Sequence, residues 1–461
     1  MTEKNIEIKK ITKTNTSFIK NELTPFLQIS SESNNPDGIS KTLEFIKSSL
    51  SPISENIIEF KGEFNPILLS YIEGNTESSL LIYMMYDTQP IKDNKSWISP
   101  PFEAKIRKLP FLPKLGDCII ARGAYNSKTP LICFLNVIKI LKSKHALPFS
   151  LYLLFDGEEE IGSPSLPYFI QKYEKILKEC NGVYYPALKQ NLEGKAVLKL
   201  GYKGIISLTI ETSSENEEVH SSYSNVIPNP ARDLIKVINL LYSNNQISIH
   251  SLSSDYQLNN EEDMLIENLK SSINIEKIAQ KAGVNNFIFQ DPRQFFLKYL
   301  FDPTFNISTL KSGYLNTGIK NSVPNSCSCN IDIRFAHDVP IENIFDEIQE
   351  KAKKLSSLIN SNLNISKTIG YRSSRVSKDS KLVKSLIDSF KELNISTELW
   401  PISAAASPLN ILQNNLETDY ITGGLGVGGY AHTANEFVQL KSIENARIGY
   451  YLFLMNYQKY L

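Results

Sequence analysis

Hydrophobic positions in the first half of the chain fall into short runs separated by polar, turn-forming stretches. Residues 14–50 read as two helices around the polar loop SSESNNPDG. Three runs then read as strands: NPILLSYIEG (65–74), SLLIYMMYD (79–87) and FSLYLLFDG (149–157). They are apolar on both faces, as strands are when helices cover both sides of a sheet. Between the last two, SKTPLICFLNVIKILK (127–142) carries its apolar residues at helical spacing. Strands alternating with helices predict an α/β sheet buried on both sides.

Near Gly201 the pattern changes. YKGIISLTIE (202–211) alternates like a strand, and NPARDLIKVINLLY (229–242) reads as a helix. A polar stretch runs from 243 to about 275. SCSCNIDIRF (326–335) is then a strand, IENIFDEIQEKAKKLSSLI (341–359) an amphipathic helix and NISKTIGY (364–371) a further strand. The order predicts a smaller α+β layer over 202–372, inserted into a discontinuous domain formed by 1–201 and 373–461. A chain of 461 residues also fits two domains better than one core. No tandem repeat or low-complexity tract interrupts it.

Composition narrows the function classes. With 41% hydrophobic residues, 21% charged residues and a formal net charge of zero, the chain lacks the basic excess of nucleic-acid binders. Five cysteines, at 118, 133, 180, 327 and 329, form no C-x-x-C pair. Cys327 and Cys329 share a strand face, which suits ordinary packing or half of a zinc site. An odd cysteine count without a disulfide framework fits a reducing cytoplasm. The Lys- and Glu-rich N-terminus lacks the apolar core of a signal peptide, and no apolar run approaches the roughly 20 residues of a membrane span. The expectation is a cytoplasmic protein with neither nucleic-acid nor membrane partners.

Four segments carry candidate chemistry: YMMYDTQP (83–90), ARGAYNSKTP (121–130), LFDGEEEIGSPSL (154–166) and GYAHTANEF (429–437). DGEEEIGS sets three glutamates directly after an apolar strand. At the C-terminal end of a strand in an open α/β sheet they would sit where such folds bind ligands. Adjacent acids there suit a metal ligand beside a general base. Acids are equally favoured in a helix's first turn, so this run alone does not decide. HTANE adds His432, one of only five histidines, in a Gly-rich loop. Gly424, Gly426 and Gly429 spell G-x-G-x-x-G, but without a helix opener or a downstream acid they fit a tight loop better than a dinucleotide site. The strand LLIYMM ends oddly, delivering two thioethers immediately before Tyr86 and Asp87.

In this order and spacing, the segments resemble the aminoacylase, carnosine dipeptidase and glutamate carboxypeptidase family of di-zinc hydrolases (peptidase family M-twenty). Its members carry an H-x-D strand end, an R-G-A-x-D-D-K-G loop, a strand ending in E-E-x-G-S and a late H-x-x-N-E. The similarity runs from about residue 20 to the C-terminus and includes DPTFNI (302–307), GYLNTGIKNSVP (313–324) and NIDIRF (330–335). It implies a zinc-exopeptidase-like domain, with a mixed, mostly parallel sheet sandwiched by helices, and an inserted ferredoxin-like lid that often mediates dimerisation. It also implies a zinc pair bridged by an Asp, with a Glu deprotonating the metal-bound water.

Carried over residue by residue, the resemblance assigns Glu160 and His432 as metal ligands, Glu159 as base and Asp87 as the acid that orients the first His. In the inserted domain it assigns His220 to the oxyanion, and Arg334 to a substrate carboxylate. Ala405-Ala406-Ser407 stands at the loop where the family has G-G-S, placing Ser407 at the substrate. The departures concentrate at the metals: Met85 replaces the first His, Asn126 the bridging Asp and Ala187 the terminal Asp. Asn126 offers only a neutral amide oxygen, and a thioether is a poor zinc partner beside oxygen ligands. The expectation is at most one divalent ion per chain (zinc, cobalt or manganese) or none. Two functions follow. One is a catalytically impaired homologue that binds a small peptide or N-acyl amino acid, or regulates an active relative in a mixed dimer. The other is an active single-metal dipeptidase or carboxypeptidase with Glu159 as general base; the dimerising lid of the family also implies a homodimer.

Overall fold

In the computed structural model, which describes residues 3–13, 15–54, 56–253 and 256–461, the chain divides into two units. The first comprises Met1–Leu200, Val376–Trp400 and Ile411–Leu461, and the second Gly201–Arg375 and Pro401–Asn410.

The first unit is built on a six-stranded sheet. Its strands are β1 (Asn56–Phe60), β2 (Ile67–Ile72), β3 (Ser79–Met85), β4 (Ser150–Asp156), β5 (Val183–Pro186) and the late strand Tyr420–Gly423. They lie in the order β1-β2-β4-β3-β5 followed by the late strand. The first three pair antiparallel, whereas β4, β3, β5 and the late strand run parallel. Every residue of β3 is buried, because helices cover both faces, which explains the unbroken apolar run in its sequence. One of those helices, α1 (Lys128–Ser143), is buried over most of its surface. Another, Ile443–Tyr457, is apolar nearly all round and packs against both α1 and the helix Lys381–Glu392. The parallel core leaves the C-terminal ends of β4, β3 and β5 side by side.

A second, four-stranded sheet in this unit joins Lys105–Lys108, Asp117–Ile120, Phe437–Gln439 and Gly428–Gly429. Its two middle strands pair antiparallel, with Phe437 opposite Ile120. The loop leaving Ile120 and the loop entering Phe437 therefore lie at the same end of the sheet. These are the ARGAYN and AHTANE segments.

The second unit runs β6 (Gly201–Ser213), α2 (Pro230–Leu241), β7 (Thr304–Ser312), β8 (Ser326–Phe335), α3 (Ile341–Leu355) and β9 (Asn362–Tyr371). The four strands are antiparallel in the order β7-β8-β6-β9, the ferredoxin-like βαββαβ arrangement. Ile206, Leu208 and Ile210 of β6 meet Cys327, Cys329, Ile331 and Ile333 of β8 in one core with α2 and α3. Cys327 and Cys329 thus share an inward face, and all five cysteines are buried and free. The sequence pattern gave no strand at β7, an edge strand so exposed that no alternation marks it. The stretch read as polar holds the helix Asn260–Ser272, opened by a capping box between Asn259 and Glu262. Residues 401–410, expected in the discontinuous domain, belong to the second unit because Ser403–Ala406 pairs in parallel with the start of β6. Among the described residues, no helix is long and apolar enough to cross a membrane.

Candidate functional site

The site is assembled from strand ends. Met85, the last residue of β3, pairs with Asp156, the last residue of β4, and Met84 and Met85 are both 1% exposed. Asp156 holds the turn that follows. Its Oδ2 accepts from Tyr83 Oη at 2.8 Å and Ser163 Oγ at 2.7 Å, and its Oδ1 from the Glu158 backbone N–H at 2.9 Å. Gly162 at φ 93° and Ser163 at φ 52° then reverse the chain within two residues.

The three consecutive glutamates divide their work. Glu158 is a brace: Oε1 accepts the backbone N–H groups of Phe64 at 2.7 Å and Asn65 at 3.0 Å, and Oε2 that of Ser165 at 3.0 Å. Fully buried and so engaged, it fixes the segment from which Glu159 and Glu160 project. A second brace is Glu436, also fully buried. It accepts from Arg122 Nη1 at 2.7 Å and from the backbone N–H groups of Gly123 at 3.1 Å, Tyr125 at 3.0 Å and Asn126 at 2.8 Å. The acid four residues beyond His432 therefore sets the shape of the loop that presents Asn126.

Glu160, Asn126 and His432 are brought together. Asn126 Nδ2 donates to Glu160 Oε1 at 3.0 Å and lies 3.2 Å from His432 Nε2. His432 Nε2 is 3.1 Å from Glu160 Oε2, and Gln89 Nε2 donates to that same oxygen at 2.9 Å. The Glu160 side chain is 2% exposed against 52% for His432. His432 adopts φ 63°, and Tyr430 and Asn435 in the same loop adopt φ 59° and 63°. Asp87 is fully buried and accepts the Glu160 backbone N–H on Oδ2 at 3.1 Å.

Burial dominates the electrostatics. It pushes the Glu159 carboxyl up to about 8, with Glu160 and Asp156 adding to the shift and His432 and Lys189 opposing it. Burial also raises Asp87 well above the usual carboxylate range, reinforced by Asp156, Glu159 and Glu160. The hydrogen bond to Glu160 raises His432, against its partial burial.

Ala187 follows directly on β5, the strand beside β3. Its carbonyl accepts from Tyr450 Oη at 3.1 Å, and its N–H donates to Gly423 O at 2.9 Å. A Cβ on Gly424 would approach the Ala187 oxygen to 2.3 Å, and Gly424 and Gly426 adopt φ 142° and 119°. These glycines let the late loop run along the end of β5.

The remaining candidates lie in the second unit. His220 is exposed, its Nδ1 2.9 Å from Ser222 Oγ, and it accepts the Ser222 N–H at 3.2 Å. Arg334 extends from β8, its Nε 3.9 Å from Asp332 Oδ2. Ser407 is nearly buried, its Oγ accepting the Leu409 N–H at 3.2 Å. Glu158, Glu436, Arg122 and Gln89 lie in the quoted motifs, but apart from the step from His432 to Glu436 nothing in their spacing marks them as bracing residues.

The mixed, mostly parallel sheet, the inserted ferredoxin-like unit and the acids at adjacent strand ends make up the exopeptidase-type α/β fold that the resemblance implies. A solved structure of an M20 family metallo-carboxypeptidase, Sso-CP2 from Sulfolobus solfataricus, superposes with a TM-score of 0.83 at 26% identity over 100% of both chains. The Cys-Gly metallodipeptidase DUG1 of Candida albicans is 23% identical over 401 residues, 80% of this chain and 81% of that protein. The Cys-Gly metallodipeptidase dug1 of Schizosaccharomyces pombe is 23% identical over 302 residues, 64% of this chain but only 62% of its own length. Residues 81–456 match the model of Peptidase family M20/M25/M40, and the chain belongs to that family.

Proposed function

We propose that this chain is a catalytically impaired, dipeptidase-like member of its family that binds a small peptide or N-acyl amino acid, as a ligand-binding or regulatory homologue. The carrying observation is the Asn126 amide, whose N–H points at the Glu160 carboxylate where the resemblance requires an anionic bridge between two cations. Met85 and Ala187 stand at the ends of neighbouring strands, where a His and an Asp would complete one ion's ligands. Among the described residues, no three His, Cys, Asp or Glu side chains are grouped so as to hold a metal ion. The residues present do not fit a zinc pair. Two ligands with a neutral amide beside them bind one ion at best. With no cation beside it, the Glu159 carboxyl is pushed up to about 8 by burial, which leaves little of the ionised base near neutrality. The reading includes a cytoplasmic protein acting as a homodimer, or as a mixed dimer with an active relative.

Retention of Glu159, Glu160 and His432 in one cluster favours a second reading, an active single-metal dipeptidase whose base works above its raised pKa. The relatives named Cys-Gly metallodipeptidases suggest which substrates to try. Metal analysis after mild purification, with a hydrolase panel of Cys-Gly, other dipeptides and N-acyl amino acids, tests both. At most one ion and no turnover are expected. Two tightly held zinc ions, or turnover abolished by Glu159→Ala, would overturn the first reading.

A further inference from the structure

Glu160 is an almost fully buried acid that the family resemblance makes a metal ligand, yet in this chain its carboxylate already has donors. Asn126 Nδ2 takes Oε1 at 3.0 Å, and Gln89 Nε2 takes Oε2 at 2.9 Å and also the Glu160 carbonyl at 3.0 Å. His432 Nε2 sits 3.1 Å from Oε2. A buried carboxylate without a cation is costly unless its lone pairs are met, and here they are met by side chains. Three separate segments converge on this one group: the strand end at Gln89, the loop at Asn126 and the late loop at His432. Asn126 is positioned independently of its side chain, because its backbone N–H is held by Glu436 at 2.8 Å.

We infer that Asn126 converts an ancestral cation site into a metal-independent clasp, its amide, with Gln89 and His432, joining the late loop to the turn after β4. The inference rests on the reading of a degenerate metal site. An Asp at position 126 would present a second anion to Glu160 in place of a donor and would need a cation to hold the same segments together. His432 keeps its left-handed backbone, φ 63°, a conformation that non-glycine residues hold only when their surroundings fix it.

The test compares the wild type with Asn126→Ala and Asn126→Asp in chelator and in added zinc or manganese, by thermal unfolding and metal content. The wild type is expected to unfold at the same temperature in both. Asn126→Ala should lower Tm by about 2–4 °C, with no recovery on adding metal. Asn126→Asp should fall at least as far in chelator and recover with about one bound ion. Hydrogen exchange across residues 430–436 should rise tenfold or more in Asn126→Ala, a readout that does not depend on the Asp variant folding. The clasp is overturned by an unshifted Tm and unchanged exchange in Asn126→Ala, or by equal metal responses from the two variants. Two zinc ions in the wild type would sink the functional reading and the clasp together. A metal-free wild type with an unaffected Asn126→Ala would sink the clasp alone.

Discussion

Asp87 accepts the Glu160 backbone N–H on Oδ2 at 3.1 Å, while its Oδ1 has no hydrogen-bond partner among the described residues. Two residues earlier in the chain, the thioether of Met85 has no N–H to give. A half-satisfied buried carboxyl costs stability.

A first prediction follows from that pairing. Met85→His supplies an imidazole close in sequence to Asp87, and Asn126→Asp with Ala187→Asp restores two carboxylates. The triple variant should bind zinc at least a hundredfold more tightly than the wild type, measured by competition with a chromogenic chelator. Unchanged affinity would show that the strand end after β5 is not where the terminal acid belongs.

Glu158 gives a prediction about stability alone. Removing its carboxylate by Glu158→Ala leaves three backbone donors at Phe64, Asn65 and Ser165 without their acceptor. The expected loss is about 3–5 kcal/mol, the usual cost of breaking a buried charged network, read as a lower urea midpoint. Glu158→Gln keeps one carbonyl oxygen for Phe64 and Asn65 but turns an amide donor toward the Ser165 N–H. It should cost less, about 1–3 kcal/mol. Equal midpoints for Glu158→Ala and wild type would remove Glu158 as the brace of this turn.

What the sequence disclosed divides along physical lines. The buried strands β3 and β4 and helix α1 were legible because burial on one or both faces imposes a pattern on consecutive residues. So was the family, because its motifs sit at the ends of those strands. The exposed edge strand β7 left no such mark, and neither did the roles of three adjacent glutamates. Glu158, Glu159 and Glu160 are identical in sequence and differ only in which way the turn after Asp156 sends them. The direction of the Asn126 amide was invisible for the same reason: it depends on a carboxylate 34 residues away.

The Arg122–Glu436 pair supports a further test. Arg122 and Glu436 side chains are 4% and 1% exposed and 2.7 Å apart. Glu436→Ala takes the carboxylate from a buried guanidinium, which keeps the Thr433 carbonyl at 3.3 Å, and frees three loop N–H groups, so it should cost about 3–5 kcal/mol. It should also raise hydrogen exchange at Gly123, Tyr125 and Asn126. Arg122→Met leaves Glu436 with its three backbone donors and should be the milder of the two. The reverse ranking would mean that the ion pair, and not the backbone cradle, holds the loop.

Lys203 sets a pH dependence in the second unit. It is fully buried, and its Nζ donates to the carbonyls of Tyr299 at 3.0 Å and Asp302 at 2.7 Å, at the end of the helix Pro292–Leu300. Burial pushes its pKa down from 10.5 to about 7; nearby Arg375 and Arg334 add to the shift and Asp302 opposes it. Below pH 7 folded and unfolded chains both hold the proton, and the folded state bears the full cost of a buried ammonium. Between about 7 and 10.5 only the unfolded chain holds it, so this residue makes stability rise with pH. Other groups titrate in the same window, so the informative quantity is the difference from Lys203→Met, which lacks the proton in both states. Wild type should gain on that variant from pH 7 to 10, by up to a few kcal/mol if the whole shift is expressed. Parallel unfolding curves across that range would mean that Lys203 stays charged, its ammonium sufficiently solvated by the two carbonyls at the helix end.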